Sequence, residues 1–474
     1  MRERRLQRWL SRVWSSPSWT SFSSYAAQSA GVAVFLPLLL RKLPSEQVAV
    51  VLLLATVGGI RLLLDFGFSY TLMRHISYLL APGSAVGAEC LVAADLGSIK
   101  ASIRRVYLVL AVLTLLLLAS VGTFAVARVI RDSGIAGPAW WAWWVAVLSN
   151  AISTWGIQFG TWVQGTANVA LLRRWETFFA LLSPLTAAIV LFTGGGVLGV
   201  TCALASWQVI AVLRNWVLAR RVNNCLWIRT VSRSPTASEW SALWAQTWRT
   251  GLGVLASFGV MQGSVIAFGR ILSGEVLASF LLGFRIVSVA ADASRAPFYS
   301  RTPELFRLHA SGDRSAFLGL VQNGMRRSLI LFVAAWSLAA WMGPWLLAQV
   351  GSRTEFPGRG VWAAFGCAFF LQRWGAMHMQ VVCAANRILT HLSDGITALV
   401  YLLILPILLG PFGELALPLA LSLSYAMALI PFGIWHSRVV TGLPAITFES
   451  RAAGPVLGVF ATLVIAYLVI GPLR

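Results

Sequence analysis

The sequence predicts an all-α, polytopic membrane protein: two six-helix lobes related by a pseudo-twofold axis along the membrane normal, plus an extra C-terminal helix. Three observations carry this reading. Of 474 residues, 58% are hydrophobic and only 11% are charged, where a soluble globular chain has about 45–50% apolar and about 25% charged residues. Apolar runs long enough to cross a bilayer core of about 30 Å recur along the whole chain. Six such runs, a basic stretch and six more form the pattern of a parallel duplication. A disordered chain, a secreted disulfide scaffold and an ordinary soluble enzyme are excluded by this composition.

In chain order, residues 1–19 place Leu6, Trp9, Leu10, Val13 and Trp14 on one helical face and Arg5, Arg8 and Arg12 elsewhere. This predicts an amphipathic segment in the cytoplasmic headgroup layer, not a cleavable signal. The N-lobe, 20–218, holds spans near 20–40, 47–70, 106–127, 139–163, 177–194 and 196–218. Residues 219–249 read as a cytoplasmic linker, in which Trp240, Trp244 and Trp248 follow an i, i+4, i+8 stripe into the next span. The C-lobe, 250–435, holds spans near 250–269, 276–299, 328–349, 361–384, 392–410 and 413–435, and one more span lies at 453–471. Backbone groups in lipid must pair within the segment, so runs of this length are helices; a barrel would show short alternating strands. Trp140, Trp141, Trp143 and Trp144 suit an outer aromatic belt.

Alternate connections carry 24 basic residues on one side and 8 on the other, which puts the N-terminus in the cytoplasm of a multi-pass inner (plasma) membrane protein. The net charge of +21, from 35 Arg and 2 Lys against 16 acids, is thereby a topology signal and not a nucleic-acid footprint. The five cysteines, Cys90, Cys202, Cys225, Cys367 and Cys383, form no CxxC pair, so no metal or disulfide role follows. The longest outer connection, near 128–138, has about eleven residues, and the cytoplasmic stretches reach about thirty, too few for an ATPase domain. Any chemistry belongs inside the helix bundle or at its mouths. Gly194-x-Gly196-x-x-Gly199 lacks a βαβ setting and reads as a tight turn. Asp65-Phe66-Gly67 lacks every other kinase element. Gly156-x-x-x-Gly160 and Gly259-x-x-x-Gly263 read as close helix contacts.

Charge inside the spans is the informative feature. Arg61 lies about 21 Å into its helix, Arg285 about 14 Å and Arg373 about 18 Å at 1.5 Å per residue. With Asp65 and Asp292 they would cost roughly 15 kcal/mol if left facing lipid, so they face one another or water. Arg61 and Asp65 stand at i, i+4, the spacing of a local ion pair; Asp292 lies seven residues past Arg285. Asp65 and Asp292 each precede an arginine, Arg74 and Arg301, by nine residues, which supports the duplication. Arg214 and Arg295, near cytoplasmic ends, are expected to snorkel. A cationic cavity suits an anionic solute, because the guanidinium fork matches phosphate and carboxylate oxygens.

Gln28, Leu36-Pro37-Leu38-Leu39-Leu40-Arg41 with Pro44, and Leu64-Asp65-Phe66-Gly67-Phe68-Ser69 with Leu72, Arg74 and Ser77 resemble bacterial polysaccharide-biosynthesis flippases. These are the Wzx-like O-antigen (lipid-linked oligosaccharide) transporters of the multidrug/oligosaccharidyl-lipid/polysaccharide (MOP, MATE-like) exporter superfamily. Gln262-Gly263, Ala296-Pro297-Phe298-Tyr299-Ser300-Arg301 with Pro303, Gly312-Asp313, Ala376-Met377-His378, Asn386 and His391 continue the likeness. The resemblance implies two six-helix lobes around a central cavity, and movement of an undecaprenyl-diphosphate-linked oligosaccharide from the inner to the outer leaflet. It also implies a monomer in the bilayer, with a polysaccharide polymerase and a chain-length regulator as partners. Twelve spans are usual in these relatives, and the thirteenth here is extra.

The expectation is therefore an alternating-access flippase with no catalytic residue, metal or cofactor. Arg61, Arg285 and Arg373 contact the diphosphate or acidic sugars, Asp65 and Asp292 position those arginines or carry a coupling proton, and Gln28, Gln262 and His378 are secondary cavity candidates. The rivals are a MATE-like drug or cation antiporter, which wants net acidic groups at mid-membrane, a membrane enzyme of polysaccharide assembly (polymerase, ligase or glycosyltransferase), which needs a larger loop or domain, and a lipid II flippase, usually of fourteen spans.

Overall fold

The computed structural model describes residues 17–57, 64–79, 96–166, 168–272, 274–299, 301–385, 387 and 389–472. The amphipathic segment up to residue 16, Arg61, Cys90 and Asn386 lie outside these residues. Every regular element among the described residues is helical. Helices α1 (Pro17–Lys42) and α2 (Ser45–Val57) meet at Pro44, and α3 is Phe68–Leu79. Helix α4 (Leu96–Leu117) passes through a π turn, Leu118–Gly122, into α5 (Thr123–Asp132). Then come α6 (Ala136–Gly165), α7 (Val169–Phe192), α8 (Gly196–Arg229) and α9 (Ala237–Ile271). Helices α10 (Gly274–Ala293), α11 (Ala296–Tyr299), α12 (Thr302–Ala310), α13 (Arg314–Val350) and α14 (Arg359–Ala384) follow. Helix α15 (Thr390–Phe412) leads to α16 (Ala416–Ser424), a second π turn at Tyr425–Leu429, α17 (Ile430–Thr441), α18 (Ala445–Glu449) and α19 (Gly454–Ile470).

The helices end where the chemistry stops them. Arg41 and Lys42 fill the last turn of α1 before Pro44, favourable at the negative end of the helix dipole and at a residue that cannot continue it. Gly194 and Gly196 adopt φ of +85° and +56° between α7 and α8, so the glycine-rich run is a turn. Gly351, at φ +68°, closes α13 with bonds from its N–H to Ala348 O and from Ser352 N–H to Leu347 O. Asp313 caps the start of α13 by accepting from Ala316 N–H. The stretch expected as a linker is mostly helix, because α8 and α9 run through it and leave only residues 230–236 between them.

The chain forms two compact units. Unit 1 comprises residues 1–35, 54–131 and 135–258; unit 2 comprises 36–53, 132–134 and 259–474. In unit 1, α6 is the central helix and packs on α4 and α8. Gly156 lets α8 close in: a Cβ there would come within 2.3 Å of Val212, so the small-residue motif is an internal helix contact. The second such motif is different, since Gly263 has nothing within 4 Å. Trp143 does not join an outer belt. It is buried, donates from Nε1 to Thr123 Oγ1 at 2.9 Å and lies against Gly122 of the first π turn, while Trp141 and Trp144 are exposed. In unit 2, α14 is central and packs on α10, α13, α16, α17 and α19.

Cations from neighbouring helices cap several helix ends. Lys100 donates to Trp227 O at 2.6 Å and Thr230 O at 2.7 Å, at the end of α8. Arg314 donates to Thr441 O and Gly442 O, at the end of α17. Arg359 donates to Gly471 O and Pro472 O, just past α19. Arg373 donates to Ala291 O at 2.9 Å, in the last turn of α10. The last carbonyls of a helix have no partner within it, and the dipole makes that end negative, so each contact satisfies a carbonyl and a charge together.

Candidate functional site: a broken helix in each unit

Both units contain a helix interrupted beside an acid. In unit 1 the break is Asp65-Phe66-Gly67, before α3. Asp65 is buried, and its carboxylate is fully engaged. Oδ1 accepts from the Tyr107 hydroxyl of α4 at 2.7 Å, and Oδ2 accepts from Ser69 Oγ at 2.6 Å and Ser69 N–H at 3.3 Å. It thereby serves the free N–H groups at the start of α3 as a cap would. Phe66 holds φ at +50°, a backbone region that a bulky residue enters only when its surroundings impose it. Its ring stacks on Trp244 of α9, with centroids 6.1 Å apart. The ring occupies the space over Gly251, where a Cβ would come within 2.1 Å. Trp244 therefore works as a wall for the break.

In unit 2 the break is Ser294-Arg295, between α10 and α11. Asp292 is exposed and pairs with Arg295 at 3.2 Å. Arg373 comes from α14 to the same place. It is 1% exposed, donates to Ala291 O and faces the Tyr299 hydroxyl. The structure thus brings Arg373, Asp292 and Arg295 together around one helix end. Arg285 makes no direct bond with them, although the Asp292 charge acts on it. Arg285 reaches the surface of unit 2 from a turn whose neighbours Leu282, Gly283 and Phe284 are buried, and no hydrogen bond or ion pair engages it among the described residues.

The other expected residues are placed as follows. Gln28 is exposed on α1, 3.4 Å from Ser24 Oγ. Gln262, on α9, has its Oε1 buried without a hydrogen-bond partner. His378 is fully buried inside unit 2, and not in a cavity: Nδ1 is 2.8 Å from Ser437 Oγ and Nε2 is 2.8 Å from Glu449 Oε1. Trp374 Nε1 donates to the other Glu449 oxygen at 3.2 Å. This polar knot fastens α18, and with it the approach to α19, onto α14. Arg214 does not simply snorkel. It lies 4.5 Å from the centre of the Phe179 ring and donates to Asn215 Oδ1.

Two residues of these networks, and a third, an acid apart from them, were not anticipated above. Tyr107 and Glu449 carry no local signal, because their partners are 42 and 71 residues away. Asp394, on α15, is a carboxylate within an apolar span that neighbours Cys383 and Tyr425, and its position inside the run 392–410 is the signal that finds it.

No family model and no curated protein matches the chain. Solved structures do. A MATE multidrug transporter, DinF-BH, shares 17% identity, with 91% of this chain and 97% of that chain covered and a TM-score of 0.65. The lipid II flippase MurJ in an inward closed conformation shares 12% identity, with 97% and 93% covered and a TM-score of 0.63. A MOP superfamily transporter from Pyrococcus furiosus, described by the reverse polarity of its binding pocket, shares 13% identity over 91% and 98%, with a TM-score of 0.57. This chain is therefore a multi-pass, all-α membrane protein with the fold of these transporters and flippases.

Proposed function

We infer that the protein is a flippase of the MOP superfamily. Its cargo is an undecaprenyl-diphosphate-linked oligosaccharide, a repeat unit of O-antigen, capsule or exopolysaccharide, and it works in the inner membrane with its N-terminus in the cytoplasm. The observation that carries the reading is Arg285: a guanidinium about halfway along a membrane helix, at the surface of its unit, engaged by no hydrogen bond or ion pair among the described residues and balanced only at a distance by Asp292. A cation is retained at that depth only where water or an anionic ligand meets it, and a diphosphate provides matching oxygens. Arg61 and Arg285 are the diphosphate contacts in this proposal. Arg373 acts from behind, holding the end of α10 that carries Asp292 and Arg295. Asp65 and Asp292 set the two helix breaks, which are the pivots when one half rocks on the other. The fold shared with a lipid II flippase supports a lipid-linked cargo. An antiporter for organic cations is the second reading, and the excess of intramembrane Arg over Asp weighs against it. Short connections among the described residues leave little room for the domain a polymerase or ligase requires.

The test is transport in proteoliposomes of a defined undecaprenyl-diphosphate oligosaccharide. Arg285→Ala is expected to lower the initial rate about tenfold or more at unchanged insertion, the effect of losing one charge-assisted contact, and Arg285→Lys to restore part of it. Full activity in Arg285→Ala, or transport of an organic cation in place of the glycolipid, overturns the assignment.

A further inference from the structure

Two arginines stand side by side on α4, at the point where its apolar run begins. Arg104 and Arg105 are both exposed. Residues four apart are neighbours on a helix face, so Leu108, Val109, Val112, Leu113, Leu116 and Leu117 continue the face that the pair opens. These six are between 40% and 58% exposed, while Ile103, Val106, Tyr107 and Leu110 of the same helix are buried in the core of unit 1. The result is a slowly winding stripe: two guanidiniums, then about 14 Å of hydrocarbon surface at 1.5 Å per residue. That length is close to one leaflet, half of a core about 30 Å thick, so the pair lies at headgroup level. The end of α8 adds charge beside it. Lys100 precedes Arg104 by one turn, and the two charges act on each other. The Lys100 ammonium is held by Trp227 O and Thr230 O, and exposed Arg229 stands between those two residues. No hydrogen bond or ion pair engages Arg104, Arg105 or Arg229 among the described residues. Glu239 is brought to this end because Arg233 N–H donates to Gly97 O at 3.2 Å. That carboxylate is already taken, by the Arg233 guanidinium at 2.6 Å and Thr236 N–H at 2.7 Å. Unit 2 repeats the arrangement on α13. Arg326 and Arg327 are exposed there, and exposed Ile330, Leu331, Leu338 and Trp341 continue their face. Arg326 donates to Asn323 Oδ1 at 3.0 Å, one turn earlier, and no acid pairs with either arginine among the described residues.

We propose that each arginine pair seats an anionic phospholipid. Phosphate oxygens accept from Arg104 and Arg105 on one unit and from Arg326 and Arg327 on the other, and an acyl chain lies along the apolar stripe beyond. The guanidinium fork matches phosphate oxygens. A single arginine at a membrane boundary needs only water to reach; the pairing, the lack of a bound acid and the recurrence in both units mark these as seats. A zwitterionic headgroup would bring its ammonium among Lys100, Arg229 and the α4 pair, where the carboxylate of Glu239 is already occupied. A soluble phosphate would leave the stripe uncovered, and an acidic soluble protein meets headgroups at this level before it meets the arginines. The seats rest on the membrane fold, and not on the cargo or the orientation assigned above.

Native mass spectrometry of the purified full-length protein tests this, with equal amounts of phosphatidylglycerol and phosphatidylethanolamine and, in a separate arm, soluble glycerol phosphate. The wild type is expected to retain a phosphatidylglycerol at each seat, about tenfold over the ethanolamine lipid, and no glycerol phosphate. Arg104→Gln with Arg105→Gln should empty one seat, Arg326→Gln with Arg327→Gln the other, and the four changes together both. Each pair of changes should weaken retention at its own seat about thirtyfold. Arg353→Gln with Arg451→Gln removes the same charge from exposed positions off both stripes and should leave both lipids bound. Arg285→Ala should also leave them bound, which separates the seats from the cargo site. Equal retention of both lipids by the wild type, a phosphatidylglycerol count unchanged in both pair variants, equal loss in the Arg353 and Arg451 control, or capture of glycerol phosphate in place of lipid would each overturn the proposal.

Discussion

Phe66 shows how much of the unit 1 site depends on one side chain. Its left-handed backbone is strained, and the strain is held by a ring fitted against Gly251 and Trp244. Gly251→Val places atoms where the ring lies, and overpacking of this kind costs about 1–3 kcal/mol. Tyr107→Phe removes the donor to Asp65 Oδ1, and a lost hydrogen bond to a carboxylate costs about 1.5–3 kcal/mol. Both variants are expected to melt earlier than wild type in detergent. Because the two sites share the Asp65-Phe66-Gly67 turn, the double variant should lose less than the two losses added together. Asp65 was legible in the sequence because an acid in an apolar run is costly anywhere in lipid. Tyr107 was not, because a tyrosine in a leucine-rich helix suits general packing as well as it suits one partner. Asp394 was as legible as Asp65.

Helix α19 illustrates the limits of periodicity at the scale of an element. Its existence follows from a run of seventeen mostly apolar residues; its integration into unit 2 does not. α14 grips it along its whole length. Arg359 takes the carbonyls past its end, Phe370 stacks on Phe460 with centroids 4.6 Å apart, and His378 with Trp374 holds Glu449 just before its start. His378 read as a cavity residue because its span is apolar and its partner lies in a different element. Glu449→Gln and His378→Ala are expected to raise hydrogen exchange at 445–452 while leaving the far end of α19 protected. Arg359→Ala should do the reverse. Mass-resolved exchange of the three variants separates these outcomes, and uniform loosening of the whole helix in all three would show that the two ends are not independent.

At the scale of the molecule, fold class was the most legible property, since thirteen apolar runs leave a chain few other ways to fold. Detailed kinship was not: at 12–17% identity to structures of the same fold, helix order and packing persist after local wording has decayed. The proposed orientation has its own check. Cysteine placed at Ile446, 85% exposed in α18, should react with a membrane-impermeant thiol reagent only from the cytoplasmic face. Cysteine at Gly194, in the turn before α8, should react only from outside, with the native cysteines replaced. Labelling of both from one side would invert or miscount the spans.

The cations seated on helix ends have one more consequence. Mobile ions screen exposed charges over a Debye length of about 8 Å at physiological strength, but reach enclosed ones far less. Lys100 and Arg373 are both enclosed by protein, so concentrated electrolyte, which loosens surface pairs such as Arg301 with Glu304, leaves the termini of α8 and α10 clamped. A protein held this way keeps the ends of these two helices in place as the ionic strength around it rises, while its exposed ion pairs weaken.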